Sequence, residues 1–158
     1  MTIQRTYLAF YIADHGKLLD RIISVIDGSP YSHCELIISD HGNKCYDCIS
    51  SSYRDGGLRR KNIDMSGSHW VLIPVMCDMG YVLRWFNKRR NFKYDYLALF
   101  RPEIPGFYNP VYRLFCSEAC ADMLELVDPG SYGLKKLYRW AILNSTTSLL
   151  NEEPDDLF

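Results

Sequence analysis

The sequence has no long hydrophobic run, few cysteines and almost no net charge. No apolar stretch reaches the roughly 18–20 residues that cross a bilayer, so we expect no membrane span. Six cysteines in 158 residues are too sparse for a disulfide-stabilised scaffold. A net charge of −1 and a pI near 6.4 give no overall field that would attract nucleic acid, and none is expected as a partner.

The first residues also lack the features of a secretion signal. Met1 to Arg5 contain no apolar core followed by a cleavage site of small residues. We therefore expect a soluble protein of a reducing compartment such as the cytoplasm, where thiols stay free. A cysteine thiolate is then available for chemistry.

The length and composition are typical of one globular domain. The chain is 47% hydrophobic and 23% charged, and domains commonly have about 100–200 residues. We expect a single domain over 1–143 and a mobile acidic tail over 144–158.

Basic residues concentrate in two short clusters despite the balanced total charge. The first is Arg59, Arg60 and Lys61, and the second lies within 84–93. Such runs are usually solvated surface. The alternative is a basic surface that binds an anionic substrate.

The hydrophobic pattern predicts strands first and helices later. Strands are predicted over 6–12, 31–38, 44–51, 58–63 and 69–75. Helices are predicted over 17–27, 78–90, 92–100, 114–126 and 134–143. A helix between the first two strands, followed by antiparallel strands and then helices, indicates the α+β class.

The strand over 31–38 carries a polar pair within an apolar run. Side chains alternate faces along a strand, so Cys34, Leu36 and Ile38 share one face and are core candidates. His33 and Glu35 share the other face. This pair indicates either an edge strand with a solvated face or a functional histidine.

The predicted helix over 114–126 has a cysteine at its start. Cys116, Ala119, Cys120, Met123 and Leu124 have the spacing of a buried helix face, so an inert core cysteine is one interpretation. A helix N-terminus and a nearby imidazole both lower the pKa of a thiol. These effects favour Cys116 as a nucleophile and leave Cys120 in the core.

A catalytic histidine needs a group that orients it. Asp47, Ser50 and Ser51 on the following strand are the candidates.

The Cys45-x-x-Cys48 pair raises the possibility of a zinc site. A closed structural zinc site needs four ligands, and these two cysteines face opposite sides of a regular strand. We therefore expect no metal and no cofactor.

Three short segments, in this order, carry a family resemblance: Tyr31-Ser32-His33-Cys34-Glu35-Leu36, Lys93-Tyr94-Asp95-Tyr96 and Phe115-Cys116-Ser117-Glu118. With them the chain resembles the circularly permuted branch of the NlpC/P60 (papain-like) superfamily, which includes YiiX-like bacterial proteins, poxviral relatives and lecithin:retinol acyltransferase-like proteins. In that branch the histidine strand precedes the cysteine helix. A further segment over 50–59 is similar to one in phage-encoded relatives of cell-wall hydrolases.

The resemblance implies a fold and a set of site residues. The implied fold is an antiparallel sheet or partial barrel packed against helices, with the nucleophile at a helix N-terminus. Cys116 and His33 correspond to the family's catalytic dyad. Full triads place a carboxylate near 47–51. This chain has Cys48, Ile49 and Ser50 where a Glu would be expected, and Asp47 is the nearest acid. Tyr94, Glu35 and Ser117 are the candidate oxyanion or substrate-binding residues.

The expected activity is thiol-dependent acyl transfer. The Cys116 thiolate attacks a carbonyl carbon. His33 takes the proton of the thiol and returns it to the leaving group. The substrate is an amide or peptide, with peptidoglycan as one option, or an acyl lipid; acyltransferase and thioesterase activities are variants of the same chemistry. A groove for an acyl chain, or simple packing, would explain the aromatic residues Tyr94, Tyr96, Phe107, Tyr108 and Tyr112.

The missing carboxylate near 47–51 motivates an alternative from another class. In this alternative the chain is an inactive hydrolase scaffold that binds a host factor in the cytoplasm of a bacterium infected by a phage.

Overall fold

The fold is α+β, as predicted, with one curled mixed sheet packed against helices. A computed structural model describes residues 3–96 and 112–150, with side chains to 145. The strands are β1 (Ile3–Ile12), β2 (Tyr31–Asp40), β3 (Cys45–Ser52), β4 (Gly57–Asp64), β5 (Trp70–Asp78), β6 (Lys93–Tyr94) and β7 (Arg113–Leu114). The helices are α1 (Leu18–Asp27), α2 (Met79–Arg89), α3 (Cys116–Met123) and α4 (Leu134–Leu150).

The sheet has the strand order β5-β1-β2-β3-β4-β6-β7. Every neighbouring pair is antiparallel except β6 and β7, which are parallel. The expectation of a wholly antiparallel sheet is wrong at this edge. Parallel strands need a longer connection than a hairpin, and here the chain over 95–112 provides it.

Local signals begin and end the helices near the sheet. The Asp20 carboxylate accepts the Lys17 N–H at 2.7 Å at the start of α1. Gly28 ends this helix with φ 65°, a left-handed conformation that glycine adopts without strain. Asp78 caps α2 by accepting the N–H groups of Gly80 and Tyr81. Within the described ranges, no helix combines the length and apolar character needed to cross a bilayer.

The main core lies between one face of the sheet and the helices. Its members include Leu8, Leu36 and Ile49 from the strands and Ala119 and Leu137 from the helices. A smaller cluster on the other face contains Ala9, Ile37 and Cys48 from β1, β2 and β3, with Met65 from the connection after β4. Because neighbouring side chains point to opposite faces, β1 and β2 are buried on both sides. The predicted core residues Cys34 and Leu36 are confirmed.

β2 is an internal strand, so the edge-strand interpretation of His33 and Glu35 is wrong. It lies between β1 and β3. Tyr11 pairs with His33, but Ile12 pairs with Tyr31, which leaves Ser32 as an extra residue. Such a β-bulge redirects neighbouring side chains and is common beside active sites.

The predicted helix over 92–100 is wrong at its start, because Lys93 and Tyr94 form β6. The Lys93 N–H donates to the Tyr112 carbonyl and the Tyr94 N–H to the Gly56 carbonyl, each at 3.0 Å. These long-range bonds override local helical spacing. Residues 97–100 lie outside the described residues.

The last helix ends later than predicted. Helix α4 continues to Leu150, past the predicted end at Leu143. The expected boundary of the tail at 144 therefore falls inside a helix. Residues 151–158, which contain the acidic residues of the expected tail, lie outside the described residues.

Candidate active site

Cys116 is the first residue of α3. Phe115 precedes the helix in an extended conformation, with φ −86° and ψ 159°, and its N–H donates to Glu118 Oε2 at 3.4 Å. The Cys116 side chain is fully buried. Its position at the positive end of the helix dipole stabilises a thiolate.

His33 connects Cys116 to a buried carboxylate. The imidazole ring and the Cys116 thiol interact strongly enough that each shifts the pKa of the other. Its Nε2 lies 2.6 Å from Glu35 Oε1. Because Nε2 faces Glu35, Nδ1 is the nitrogen left to face the sulfur. The three side chains form the sequence of nucleophile, base and orienting acid that nucleophilic catalysis requires.

Glu35 is fully buried and held by an arginine of β4. Arg59 Nη1 donates to Glu35 Oε2 at 2.6 Å, and Arg59 Nη2 donates to Oε1. Arg59 Nε also donates to Asp55 Oδ2 at 2.9 Å. Burial raises the pKa of Glu35, but the bonds from Arg59 and the charge on His33 outweigh it and hold the pKa below its ordinary value. Glu35 is therefore a carboxylate.

The site stabilises a thiolate–imidazolium pair at neutral pH. Burial alone lowers the pKa of His33, yet the charge of Glu35 and the bonds to Cys116 and Glu35 raise it to about 10. Burial alone raises the pKa of Cys116, yet bonds from Cys34 and His33 lower it to about 6. Between these two values Cys116 carries a negative charge and His33 a positive one.

Cys34 is a member of the site that the sequence analysis assigned only to the core. Its side chain and its backbone both act to lower the pKa of the Cys116 thiol. Burial, followed by the neighbouring thiols, raises the pKa of Cys34, so it stays protonated and can donate. Its sulfur also lies 3.7 Å from that of Cys120. Its position next to His33 in the sequence was the available signal.

The structure does not bring the expected orienting residues to His33. The Asp47 carboxylate accepts a hydrogen bond from Arg60 Nε at 2.8 Å. The β2–β3 register places Asp47 opposite Ser39, towards the far end of β2 from His33. Ser50 Oγ donates to the Cys34 carbonyl at 2.6 Å. Both side chains therefore tie strands together, and the group that pairs with His33 is Glu35.

Tyr94 is close to the thiolate, whereas the Ser117 hydroxyl is used elsewhere. Tyr94 packs against Tyr53 and Phe115, with ring centroids 6.1 and 5.7 Å away. Burial and then the charge on Cys116 raise its pKa, so its hydroxyl stays protonated. Ser117 Oγ donates to the Tyr132 carbonyl at 2.6 Å and anchors α3.

The other aromatic candidates do not form a common groove among the described residues. Tyr96 and Tyr112 are exposed, at 51% and 71% of their surface. Phe107 and Tyr108 lie outside the described residues.

A cavity of about 290 Å³ opens beside the histidine. Cys116 does not line it and has no exposed surface. The sulfur is therefore not reached from this cavity in this conformation. The lining residues are Tyr11, His33, Glu35, Ser52, Tyr53, Arg54, Asp55, Arg59, Lys61, Asn62, Ile63, Asp64 and Trp70.

The Cys45–Cys48 pair is not part of a larger ligand cluster in the described part of the chain. Cys48 is buried in the smaller core cluster, and Cys45 begins β3 half-buried. Across residues 3–96 and 112–145, no three histidine, cysteine or acidic side chains are grouped to hold a metal.

No protein-family model matches this chain, and no curated protein matches it. The geometry and electrostatics of Cys116, His33 and Glu35 are what indicate a function.

Proposed function

We propose that the chain is a cysteine hydrolase of the permuted NlpC/P60 type, acting through an acyl thioester on Cys116. The proposal rests mainly on one observation: His33 acts to lower the pKa of the buried Cys116 thiol, and its Nε2 lies 2.6 Å from the buried Glu35 carboxylate. The order of histidine strand before cysteine helix, and the packing of that helix on the sheet, support the permuted papain-like fold.

The first half-reaction forms the thioester. The Cys116 thiolate attacks the carbonyl carbon of an amide, peptide or acyl lipid. His33 gives its Nδ1 proton to the leaving nitrogen or oxygen, and the bond to that atom breaks. The backbone N–H of Cys116 and the Tyr94 hydroxyl are the proposed donors to the oxyanion.

The second half-reaction releases the acid. His33, now neutral, takes a proton from water as the water oxygen attacks the thioester carbon. The carbon–sulfur bond breaks, which returns Cys116 to the thiolate and His33 to the imidazolium. Glu35 keeps its charge throughout and stabilises the imidazolium. Another acyl acceptor in place of water would make the same site an acyltransferase.

The burial of Cys116 favours a second candidate function. A sulfur with no exposed surface is also compatible with an inactive scaffold that binds a host factor. The sequence favours this alternative because it lacks the orienting carboxylate near 47–51. In the structure Glu35 supplies a carboxylate to His33. The accumulation of an acyl-enzyme distinguishes the two functions.

Mixing the protein with p-nitrophenyl acetate should give a burst of nitrophenolate and one acetyl group on Cys116. The burst should equal the protein concentration, because each thiolate reacts once before slower hydrolysis. Stopped-flow absorbance and peptide mass spectrometry measure the two signals.

Two cysteine variants control this experiment. Cys116→Ala should abolish the burst, while Cys120→Ala, one helical turn along, should retain it. Acetylation spread over several cysteines without a burst would contradict the hydrolase and support the binding scaffold.

A further inference from the structure

Three thiols lie together in the main core at the candidate site. Cys34 is on β2, and Cys116 and Cys120 are four residues apart on α3. Residues at this spacing share one face of a helix. All three side chains are fully buried and belong to the same core cluster. The proposed hydrolase uses the sulfur of Cys116 alone as a nucleophile, so the other two thiols do not react in it.

The thiols of Cys34 and Cys120 are in direct contact. Their sulfurs lie 3.7 Å apart, although the two residues are separated by 86 positions in the sequence. Because Cys34 is on β2 and Cys120 is on α3, a disulfide between them would connect the strand that carries His33 to the helix that carries Cys116.

The thiols of this cluster differ in their reactivity towards an oxidant. A hydroperoxide oxidises a thiolate and not a protonated thiol. Burial raises the pKa of Cys116, but the side chains of Cys34 and His33 lower it to about 6, so Cys116 is a thiolate at neutral pH. Burial raises the pKa of Cys34, which therefore stays protonated. Oxidation of the cluster then begins at Cys116.

We propose that Cys34 and Cys120 form a disulfide when a small hydroperoxide oxidises Cys116. The pair is an oxidative modification site that removes the oxidation from the candidate nucleophile. This inference goes beyond the hydrolase function, because it requires the Cys116 thiolate but no acyl transfer. The sulfur of Cys116 has no exposed surface, which favours an oxidant as small as hydrogen peroxide.

The first two steps transfer the oxidation from Cys116 to Cys34. The Cys116 thiolate attacks one oxygen of hydrogen peroxide, and the oxygen–oxygen bond breaks. The departing hydroxide takes the proton of the His33 imidazolium and leaves as water. The Cys34 sulfur then attacks the sulfur of the Cys116 sulfenic acid, and the sulfur–oxygen bond breaks. This second hydroxide takes the thiol proton of Cys34, which leaves a Cys34–Cys116 disulfide, a neutral His33 and two waters.

The last step transfers the disulfide to Cys120. The Cys120 sulfur attacks the Cys34 sulfur, which is 3.7 Å away in the reduced protein. The bond between Cys34 and Cys116 breaks, and Cys116 leaves as the thiolate. A thiol with a low pKa is the better leaving group, which favours expulsion of Cys116. The thiol proton of Cys120 replaces the one that His33 gave up, so the thiolate–imidazolium pair is restored.

Peptide mapping of the wild type after one equivalent of hydrogen peroxide tests the proposal. Free thiols are alkylated in denaturant, and cleavage after Glu118 then separates Cys116 from Cys120. The chain should lose two hydrogen atoms, the peptides of Cys34 and Cys120 should be linked, and Cys116 should carry the alkyl group. An unchanged mass, oxygen added to Cys116 without a disulfide, or a final disulfide that includes Cys116 would overturn the proposal.

Cysteine variants separate the steps without any ester substrate. Cys120→Ala should stop at the Cys34–Cys116 disulfide, and Cys34→Ala should form no disulfide and accumulate sulfinic acid on Cys116. Cys116→Ala should leave Cys34 and Cys120 reduced at the same dose. Cys48→Ala is the matched control, because Cys48 is equally buried on the other face of the sheet, and it should form the wild-type disulfide. A Cys34–Cys120 disulfide that forms at the wild-type rate in Cys116→Ala would overturn the route through Cys116, even if p-nitrophenyl acetate acylates the wild type.

Discussion

Replacing Glu35 with glutamine should slow acylation of Cys116 by roughly 10²–10⁴-fold at neutral pH, the usual contribution of acid–base catalysis. The amide keeps the volume of the side chain but removes the charge that raises the pKa of His33. A neutral His33 no longer stabilises the Cys116 thiolate, so the pKa of Cys116 rises as well. The rate of nitrophenolate release from p-nitrophenyl acetate, measured across pH, reports both changes.

Asp47→Asn is the matched carboxylate-to-amide control on the next strand. Asp47 pairs with Arg60 and not with His33, so this change should leave the rate and its pH dependence unaltered. Near-ultraviolet circular dichroism checks that Glu35→Gln keeps its tertiary packing with Arg59. A wild-type rate in Glu35→Gln, or a larger loss in Asp47→Asn, would remove Glu35 from its orienting role.

Replacing Asp20 with alanine should lower the free energy of unfolding by about 2–4 kcal/mol. The change removes a helix cap and leaves a buried hydroxyl, that of Ser32, and a half-buried one, that of Tyr53, without this acceptor. Asp20 accepts Ser32 Oγ at 3.0 Å, the Tyr53 hydroxyl at 3.2 Å and the Lys17 N–H at 2.7 Å. The ion pair with Arg54 adds little, because that arginine is nearly half exposed. Thermal unfolding should shift down by on the order of 10 °C.

Two aspartate variants calibrate this stability prediction. Asp20→Asn keeps an oxygen acceptor and should lose less than Asp20→Ala. Asp14→Ala removes an exposed acid near the same helix and should unfold at the wild-type temperature. If Asp20→Ala and Asp14→Ala unfold at the same temperature, the buried network does not contribute to stability as described.

The sequence pattern predicts which residues lie together in the candidate site better than it predicts their hydrogen-bond partners. His33 and Glu35 were placed on one strand face by alternation alone, and Cys116 by its position at a helix start. The pattern predicts an oxyanion or substrate-binding role for Glu35 and not an orienting one, because the family resemblance points to an acid on the next strand. The β2–β3 register turns Asp47 away, and the bond from Arg59 that keeps Glu35 charged crosses the sheet.

The predicted elements agree with the structure where apolar runs are long. The central positions of β1, β2, β3 and β5 follow from their own residues, since each contains a buried run or alternation. β6 has two residues and exists through bonds to Gly56 and Tyr112, which no local pattern encodes. The bulge at Ser32 is likewise a property of strand pairing.

The most direct test of the thiolate–imidazolium pair is the pH dependence of Cys116 alkylation by iodoacetamide in wild type and His33→Ala. The pKa of Cys116 is lowered from an ordinary value of 9.0 to about 6, so the thiolate is present above that pH and is lost as pH falls through it. Wild-type Cys116 should therefore react with a midpoint near pH 6, and the midpoint should move up by more than a unit in His33→Ala. Cys120 lies one helical turn from Cys116 and is equally buried, so its alkylation in the same digest is the reference for a thiol in this helix without an imidazole partner. A Cys116 midpoint near an ordinary thiol value in both proteins would contradict the pair and, with it, the proposed hydrolase.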